Sequence, residues 1–170
     1  MDKILNPLDF AELASDPSNP ASGYIRTYAK GGNIYSLLTG GQKILLSSPY
    51  IALTFIFDEG GTVLTTGMKG GFYVPFGYTI TQYTMASIDP LTISGSIVVD
   101  IWTDTYANFP PTVADTITAS AKPTISSGTK TEGTVGTWSV DQAAGRWIYF
   151  NIDSVTAFKK VCLTLTCQKT

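Results

Sequence analysis

Apolar and polar residues alternate with a period of two through most of the chain beyond residue 50, and this pattern predicts an all-β protein. Clusters of Gly, Pro, Asp and Ser interrupt the alternation and mark the turns between strands. The predicted strands lie at 51–58, 63–66, 71–75, 79–86, 96–103, 136–140, 146–152 and 159–168. Eight short strands without a convincing helix are typical of a β-sandwich or a jelly roll.

The strand predicted at 96–103 shows how the faces are assigned. The face expected to pack in the core carries Ile97, Val99 and Ile101. The face expected to point outward carries Val98, Asp100 and Trp102. The strand at 146–152 is apolar on both faces, since Ile148, Phe150 and Ile152 alternate with Trp147, Tyr149 and Asn151. The second of these faces is therefore either a second buried layer or a trimer interface.

The organisation of the chain changes once, near residues 47–49, so we expect an attachment segment at 1–48 and a β-sandwich knob at 49–170. Strands at 24–29 and 33–38, joined through Lys30, Gly31 and Gly32, predict a β-hairpin. Ahead of it, apolar residues predict a short amphipathic turn or an extended attachment arm: Leu5, Leu8, Phe10 and Leu13. The overall prediction is a jelly-roll-like antiparallel β-sandwich preceded by a small arm and a hairpin.

Within the predicted sandwich, turns are expected at Gly60–Gly61 and at Gly70–Gly71. The segment 106–135 is too long for a plain loop in a compact domain. We expect it to cross between the two sheets or to pack on a neighbouring subunit, with one short strand or turn of helix inside it.

The charge content narrows the choice of partners. Charged residues make up 14% of the chain, against about 25% in an average soluble domain, so part of the surface is expected to be covered by protein. A net charge of −2, with scattered Lys and Arg, argues against a nucleic-acid partner. Apolar runs are too short for membrane insertion, and no export signal is visible, so synthesis in the cytosol is expected.

Candidate chemistry is sparse. The chain has no His, which removes the usual general base and the usual zinc ligand, so no catalytic residue, cofactor or metal site is predicted. Asp100 and Asp104 flank Trp102, but four strand residues separate them by about 13 Å, which is too far for a glycosidase pair. Cys162 and Cys167 are expected to be unpaired thiols, with Cys167 in the core. The acidic pair ahead of Gly60–Gly61 is interpreted as a hairpin tip rather than a Ca²⁺ site.

One group of side chains suits non-catalytic contact with a sugar or a protein partner. An aromatic surface next to polar groups fits a pyranose ring, and the residues concerned are Trp102, Asp104, Tyr106, Asn108 and Phe109.

Several stretches resemble a module of tailed-bacteriophage structural proteins. They are SGSIVVDIWTDTYANFPPTVAD at 94–115, FDEGGTVLTTGMKGGFYVPF at 57–76 and DTITASAKPTISSGTK at 115–130, so the resemblance covers roughly residues 51–170. NPASGYIRTYAKGGNIYSLLTGG at 19–41 is similar to a hairpin cassette found ahead of such modules.

The resemblance implies a non-enzymatic protein on the surface of the virion. The first expectation is a trimeric capsid decoration, or cement, protein whose amino segment attaches to the major capsid protein or another virion protein. The alternative is a short tail fibre or receptor-binding tip that recognises a host surface glycan. The trimer rests on the resemblance, and the absence of heptads or of a repeat favours a compact knob over a long shaft.

Overall fold

The computed structural model of the chain describes residues 11–46 and 50–170. The chain divides into two compact units, Met1–Ser48 and Pro49–Thr170. Each is all-β in its described part. Across the described ranges, no helix is long and apolar enough to cross a membrane.

The first unit contains a three-stranded antiparallel sheet of β1 (Arg26–Lys30), β2 (Asn33–Leu37) and β3 (Lys43–Leu45). The predicted hairpin is confirmed, and Gly31 and Gly32 take the positive φ values of 56° and 73° that its tight turn requires. The third strand was missed, because three exposed residues carry too little alternation to show it.

Residues ahead of the hairpin lie along this small sheet. The Leu13 N–H donates to the Ala29 carbonyl oxygen at 2.9 Å. Asp16 binds Lys43 at 2.7 Å and Lys30 at 3.0 Å, and these two ammonium groups lower the pKa of Asp16 to about 2. Of the predicted attachment arm, Leu13 is 38% exposed. Its other members, Leu5, Leu8 and Phe10, lie outside the described residues.

The second unit is an antiparallel β-sandwich. Its strands are β4 (Tyr50–Asp58), β5 (Gly67–Val74), β6 (Tyr78–Ser87), β7 (Gly95–Thr105), β8 (Thr124–Gly128), β9 (Lys130–Thr134), β10 (Asp141–Gln142), β11 (Arg146–Thr156) and β12 (Lys160–Lys169). One sheet has the order β10-β6-β12-β4, with β9 also pairing with β6, and the other has the order β5-β11-β7-β8. The prediction of an all-β sandwich is confirmed.

The core lies between these two sheets and is centred on Phe150 of β11. The Phe150 ring stacks on Phe55 of the opposite sheet with a centroid separation of 4.6 Å, and Phe57 meets it edge-on at 6.2 Å. The inward faces predicted from alternation are confirmed, since all of these side chains are 0% exposed: Ile97, Val99, Ile101, Ile148, Phe150, Ile152, Val161, Leu163, Leu165 and Cys167. Burial of this extent is the main source of folding free energy.

Two predicted strands are wrong, and in each case a loop buries the apolar residue that suggested a strand. Residues 63–66 form a loop in which Leu64 is 2% exposed and its N–H donates to the Phe158 carbonyl oxygen at 2.8 Å. Residues 136–140 form a loop in which Trp138 stacks on Tyr83 at 5.5 Å. Apolar residues therefore reached the core here without the backbone entering a sheet.

The turn predicted at Gly70–Gly71 is also wrong, because both glycines lie inside β5. A Cβ added at Gly71 would overlap the carbonyl oxygen of Ile148 in the neighbouring strand. Gly71 is therefore needed for close approach of β5 to β11, whereas Gly60–Gly61 forms the expected turn.

The crossing predicted for 106–135 is confirmed, and the segment contains more structure than expected. It begins with two 3₁₀ turns, Tyr106–Asn108 and Val113–Asp115, and then supplies β8 to one sheet and β9 to the other.

Gly71→Ala is expected to destabilise the protein by about 1–3 kcal/mol, because the new methyl group forces β5 away from β11. Chemical denaturation monitored by tryptophan fluorescence measures this change. Gly136→Ala is the matched control, since nothing lies within 4 Å of a Cβ at Gly136. Equal stability of the two variants would contradict the packing role of Gly71.

Candidate functional site

Aromatic side chains form a group on the outer face of the β5-β11-β7-β8 sheet, which we call the aromatic face. Strand pairing places Trp147 between Tyr73 and Asp104, and Tyr149 next to Trp102. Since directly paired residues point to the same side of a sheet, these side chains share one surface. The aromatic face consists of Tyr73, Trp102, Tyr106, Phe109, Trp147 and Tyr149.

The loop after β7 completes this face. The 3₁₀ turn Tyr106–Asn108 directs the chain back over the sheet, so that the Phe109 ring lies 4.9 Å from Trp147 and 5.8 Å from Tyr149. The Tyr73 ring also lies against Trp147, with a centroid separation of 6.0 Å. Tyr106, Tyr73 and Phe109 remain 73%, 48% and 44% exposed, so the outer surface of the group is available for contact.

Polar groups border the aromatic face. Asp104 accepts a hydrogen bond from the Thr105 N–H at 2.6 Å, and this bond, together with Asn108 and the charge of Arg146, holds the Asp104 pKa below its usual value. The Trp147 indole N–H is buried and has no acceptor within the described residues. An aromatic surface with a carboxylate and an amide at its border can stack on a sugar ring and accept hydrogen bonds from its hydroxyls.

The structure brings together the residues that the sequence singled out for partner contact. Trp102 and Asp104 share the outer face of β7, Asn108 reaches Asp104, and Tyr106 lies 6.5 Å from Phe109. The sequence did not connect them with Trp147, Tyr149 or Tyr73. Alternation in RWIYFNI indicated that Trp147 and Tyr149 lie on the face of the strand opposite to Ile148 and Phe150. Nothing in the sequence indicated that Tyr73 lies next to Trp147, because only strand pairing brings the two together.

Asp100 lies on the outward face of β7, as predicted, but it is 0% exposed because the crossing segment covers it. Its Oδ1 accepts hydrogen bonds from the hydroxyls of Thr116 and Thr118, each at 2.6 Å, and from the Ile101 N–H at 2.8 Å. Its Oδ2 lies 3.0 Å from the Lys122 Nζ. The crossing segment therefore supplies most of the partners that allow a carboxylate to be buried.

We call Asp100, Thr116, Thr118, Lys122 and Asp153 the acid cluster. Lys122 bridges it, since its Nζ lies 2.6 Å from Asp153 as well as contacting Asp100. Burial acts to raise the pKa of Asp100, but the Thr116 and Thr118 hydroxyls, the Trp102 indole and Lys122 together hold it below its usual value. Asp100 is thus an ionised anchor for the crossing segment.

Other candidate chemistry is limited in the part of the chain that the structure describes. Residues 11–46 and 50–170 contain no group of three or more acidic or Cys side chains placed to hold a metal ion. The prediction of a hairpin tip at Gly60–Gly61 is wrong, because the turn joins β4 and β5, which belong to different sheets. In this turn Asp58 accepts from the Gly60 N–H at 2.9 Å and pairs with Lys160 at 2.8 Å. Burial raises the pKa of Cys167 to about 12, which makes it an inert thiol at neutral pH.

The outer face of the β10-β6-β12-β4 sheet differs from the aromatic face. Three strands contribute three outward side chains each, and pairing aligns them in rows. We call this surface the flat face: Ala52, Thr54, Ile56, Gln82, Thr84, Ala86, Cys162, Thr164 and Thr166. None of its members is charged. The first charges occur at its borders, in the Asp58–Lys160 ion pair and in β9.

Removal of the flat face from water also costs little desolvation free energy. The hydroxyls of Thr54 and Thr164 bond to each other at 3.0 Å, so the central row satisfies part of its own hydrogen bonding. Ile56 is 51% exposed at its edge. A surface that is level, uncharged and partly self-satisfied is suited to contact with another protein.

Asp100→Asn is expected to lower stability by about 1–3 kcal/mol at neutral pH, because it removes the charge that Lys122 and the two threonines stabilise. Urea denaturation at several pH values measures this effect. Because the native pKa is below the unfolded value of about 3.9, the stabilisation is complete above that pH and is lost as the pH falls through the native pKa. The two proteins should therefore converge in acid. Asp104→Asn, outside the acid cluster, is the control, and an equal loss there would contradict the anchor role.

Comparison of the chain with protein-family models gives no match, and neither does comparison with curated proteins.

Proposed function

We propose that this chain is a non-enzymatic structural protein on the surface of a tailed-bacteriophage particle, and that it acts as a trimeric capsid decoration protein. The sandwich would be the exposed knob, and the amino segment would attach to the capsid. Binding of such a protein stabilises an assembled shell by mass action, because its site exists only on that shell.

The flat face is the observation that carries this proposal. Its nine neighbouring outward positions carry no charge, although the chain has 13 acidic and 11 basic residues. A soluble monomer gains nothing from keeping this surface free of charge, whereas a subunit interface excludes charge from its centre. We infer that the flat face packs against neighbouring copies around the trimer axis.

The strand order supports a jelly roll as the finer description of the knob. Counted from β4 with the short β10 left out, the two sheets have the orders 1-8-3-6 and 2-7-4-5. These orders correspond to two interleaved Greek keys, an arrangement common in capsid and lectin domains. The engagement of Asp100 within the acid cluster supports the non-enzymatic part, because that carboxylate is held by structural partners.

The aromatic face favours a second candidate function, a receptor-binding tip for a host glycan. Tyr73, Phe109 and Tyr106 offer exposed rings, while Asp104 and Asn108 supply polar contacts at their border. This role does not compete with the flat face for surface, since the two lie on opposite sides of the sandwich. It would place the knob on the tail instead of the head.

The decoration proposal predicts that the purified protein is a trimer, with three times the 18.2 kDa mass of one chain. Light scattering at micromolar concentration measures this mass. Thr164→Arg puts a charge at the centre of the flat face and should weaken assembly by at least about tenfold, or 1.4 kcal/mol. The variant should also bind less to heads that lack the protein, as measured by co-sedimentation.

The control is Ser126→Arg on the exposed side of β8, which should change neither mass nor binding. A wild-type monomer that does not sediment with heads would refute the proposal, as would a Thr164→Arg variant that assembles normally. Sedimentation with isolated tails alone would favour the second candidate.

The glycan candidate predicts that Phe109→Ala and Tyr73→Ala each weaken binding to host surface oligosaccharides by roughly tenfold, because each removes an exposed stacking ring. Calorimetric titration with oligosaccharides released from the host surface measures the affinity. Tyr50→Ala removes a ring of similar exposure, 60%, from the opposite sheet and should have no effect. Equal losses in all three variants, or no binding by the wild type, would count against this role.

A further inference from the structure

The outer edge of β4 has few of the features that normally protect a sheet edge. Within the described residues, β12 is the one strand that pairs with β4. The strand is nine residues long, its sequence YIALTFIFD contains no Lys, Arg or Pro, and its single acid stands at the last position. No register shift interrupts its pairing with β12. Such an edge is a ready template for another strand.

The core beside β4 is incompletely covered. Ile51, Leu53 and Phe55 point inward but are only half-buried. Their partners in β12 are Cys167, Leu165 and Leu163, and all three are 0% exposed. Since the two rows face the same interior, the difference arises because no strand of the described residues pairs with the outer edge of β4. One more strand at this edge would complete the burial.

We propose that the edge of β4 pairs with β4 of a second copy of this chain, in antiparallel orientation about a twofold axis through Thr54. In this register all nine residues are paired. Inward residues meet inward residues, with Ile51 opposite Phe57 and Leu53 opposite Phe55. The two sheets then form one continuous sheet across the axis, and the half-buried row is covered.

The distribution of charge supports a second copy as the occupant. In the full register each Asp58 stands opposite a Tyr50, whose hydroxyl can donate to the carboxylate, and the two Asp58 side chains lie at opposite ends of the interface. Asp58 also keeps its own Lys160 at 2.8 Å. No like charges meet, and the apolar pattern is self-complementary, as a twofold contact requires.

This contact goes beyond the trimer of the proposed function. A threefold axis cannot pair a strand with itself, so β4 pairing joins copies that belong to different trimers. It would link neighbouring knobs on a surface, and in solution it would associate trimers pairwise only at concentrations above the micromolar range in which the trimer mass is measured.

Cysteine cross-linking in a Cys162→Ser background tests the pairing. Thr54→Cys should form a disulfide-linked dimer under mild oxidation, because paired residues have Cα atoms about 4.5–5.5 Å apart. Thr164→Cys is the matched control, since Thr164 is the hydrogen-bonded neighbour of Thr54 one strand further from the edge. Across the proposed axis two copies of residue 164 are three strand spacings apart, about 14 Å, so a cross-link at 164 would report contact through the flat face and not edge pairing.

A mixture of Ala52→Cys and Ile56→Cys proteins tests the register independently. Cross-links should form between the two proteins and not within either one, because residue 52 pairs with residue 56 and two copies of residue 52 lie about 13 Å apart.

Cross-linking at 54, together with cross-links between 52 and 56 and none within either of those two proteins, would support the proposal whether or not residue 164 cross-links. Cross-linking at 54 and 164 without the selective 52–56 cross-links would show contact through the flat face and would overturn edge pairing while sustaining the trimer. Absence of cross-links in both experiments would overturn edge pairing, and the measured mass would still decide the trimer separately.

Discussion

The packing of two sheets against Phe150 is the constraint on which the rest of the structure depends. Its ring meets Phe55 and Phe57 from the opposite sheet and Phe72 from its own. Because this layer takes up the inward side chains of both sheets, each strand has only its outward side left for function. The outward sides of the two sheets differ in chemistry, and this difference separates the possible roles of the protein.

The flat face and the aromatic face account for the low charge of the chain in different ways. On the flat face, small side chains and a threonine pair leave a level surface that another protein can cover at little cost in desolvation. On the aromatic face, rings project from the sheet and are bordered by Asp104. The first suits broad contact with sister subunits, and the second suits a small area of stacking with a ligand.

The acid cluster connects the core to the aromatic face. Asp100 holds Thr116, Thr118 and Lys122, so the crossing segment is bound to β7 shortly after the chain has left that strand. The loop that carries Phe109 begins at the end of β7 and ends at Thr116, which is hydrogen-bonded to Asp100. Because both ends of the loop are held on β7, its path over Trp147 is limited. A buried ion pair is weak evidence for stability, but it can hold a segment in one path.

The sequence by itself determined the all-β class and the inward faces of the long strands, because alternation directly encodes which side of a strand is apolar. Only the tertiary structure decided which distant segments supply the neighbours of a given side chain. Asp100 became internal because its donors lie 16, 18 and 22 residues further along the chain, and Tyr73 joined Trp147 through strand pairing. Leu64 entered the core from a loop for the same reason. Local alternation specifies a direction for each side chain, whereas its neighbours depend on which strands pair, and pairing is a property of the whole fold.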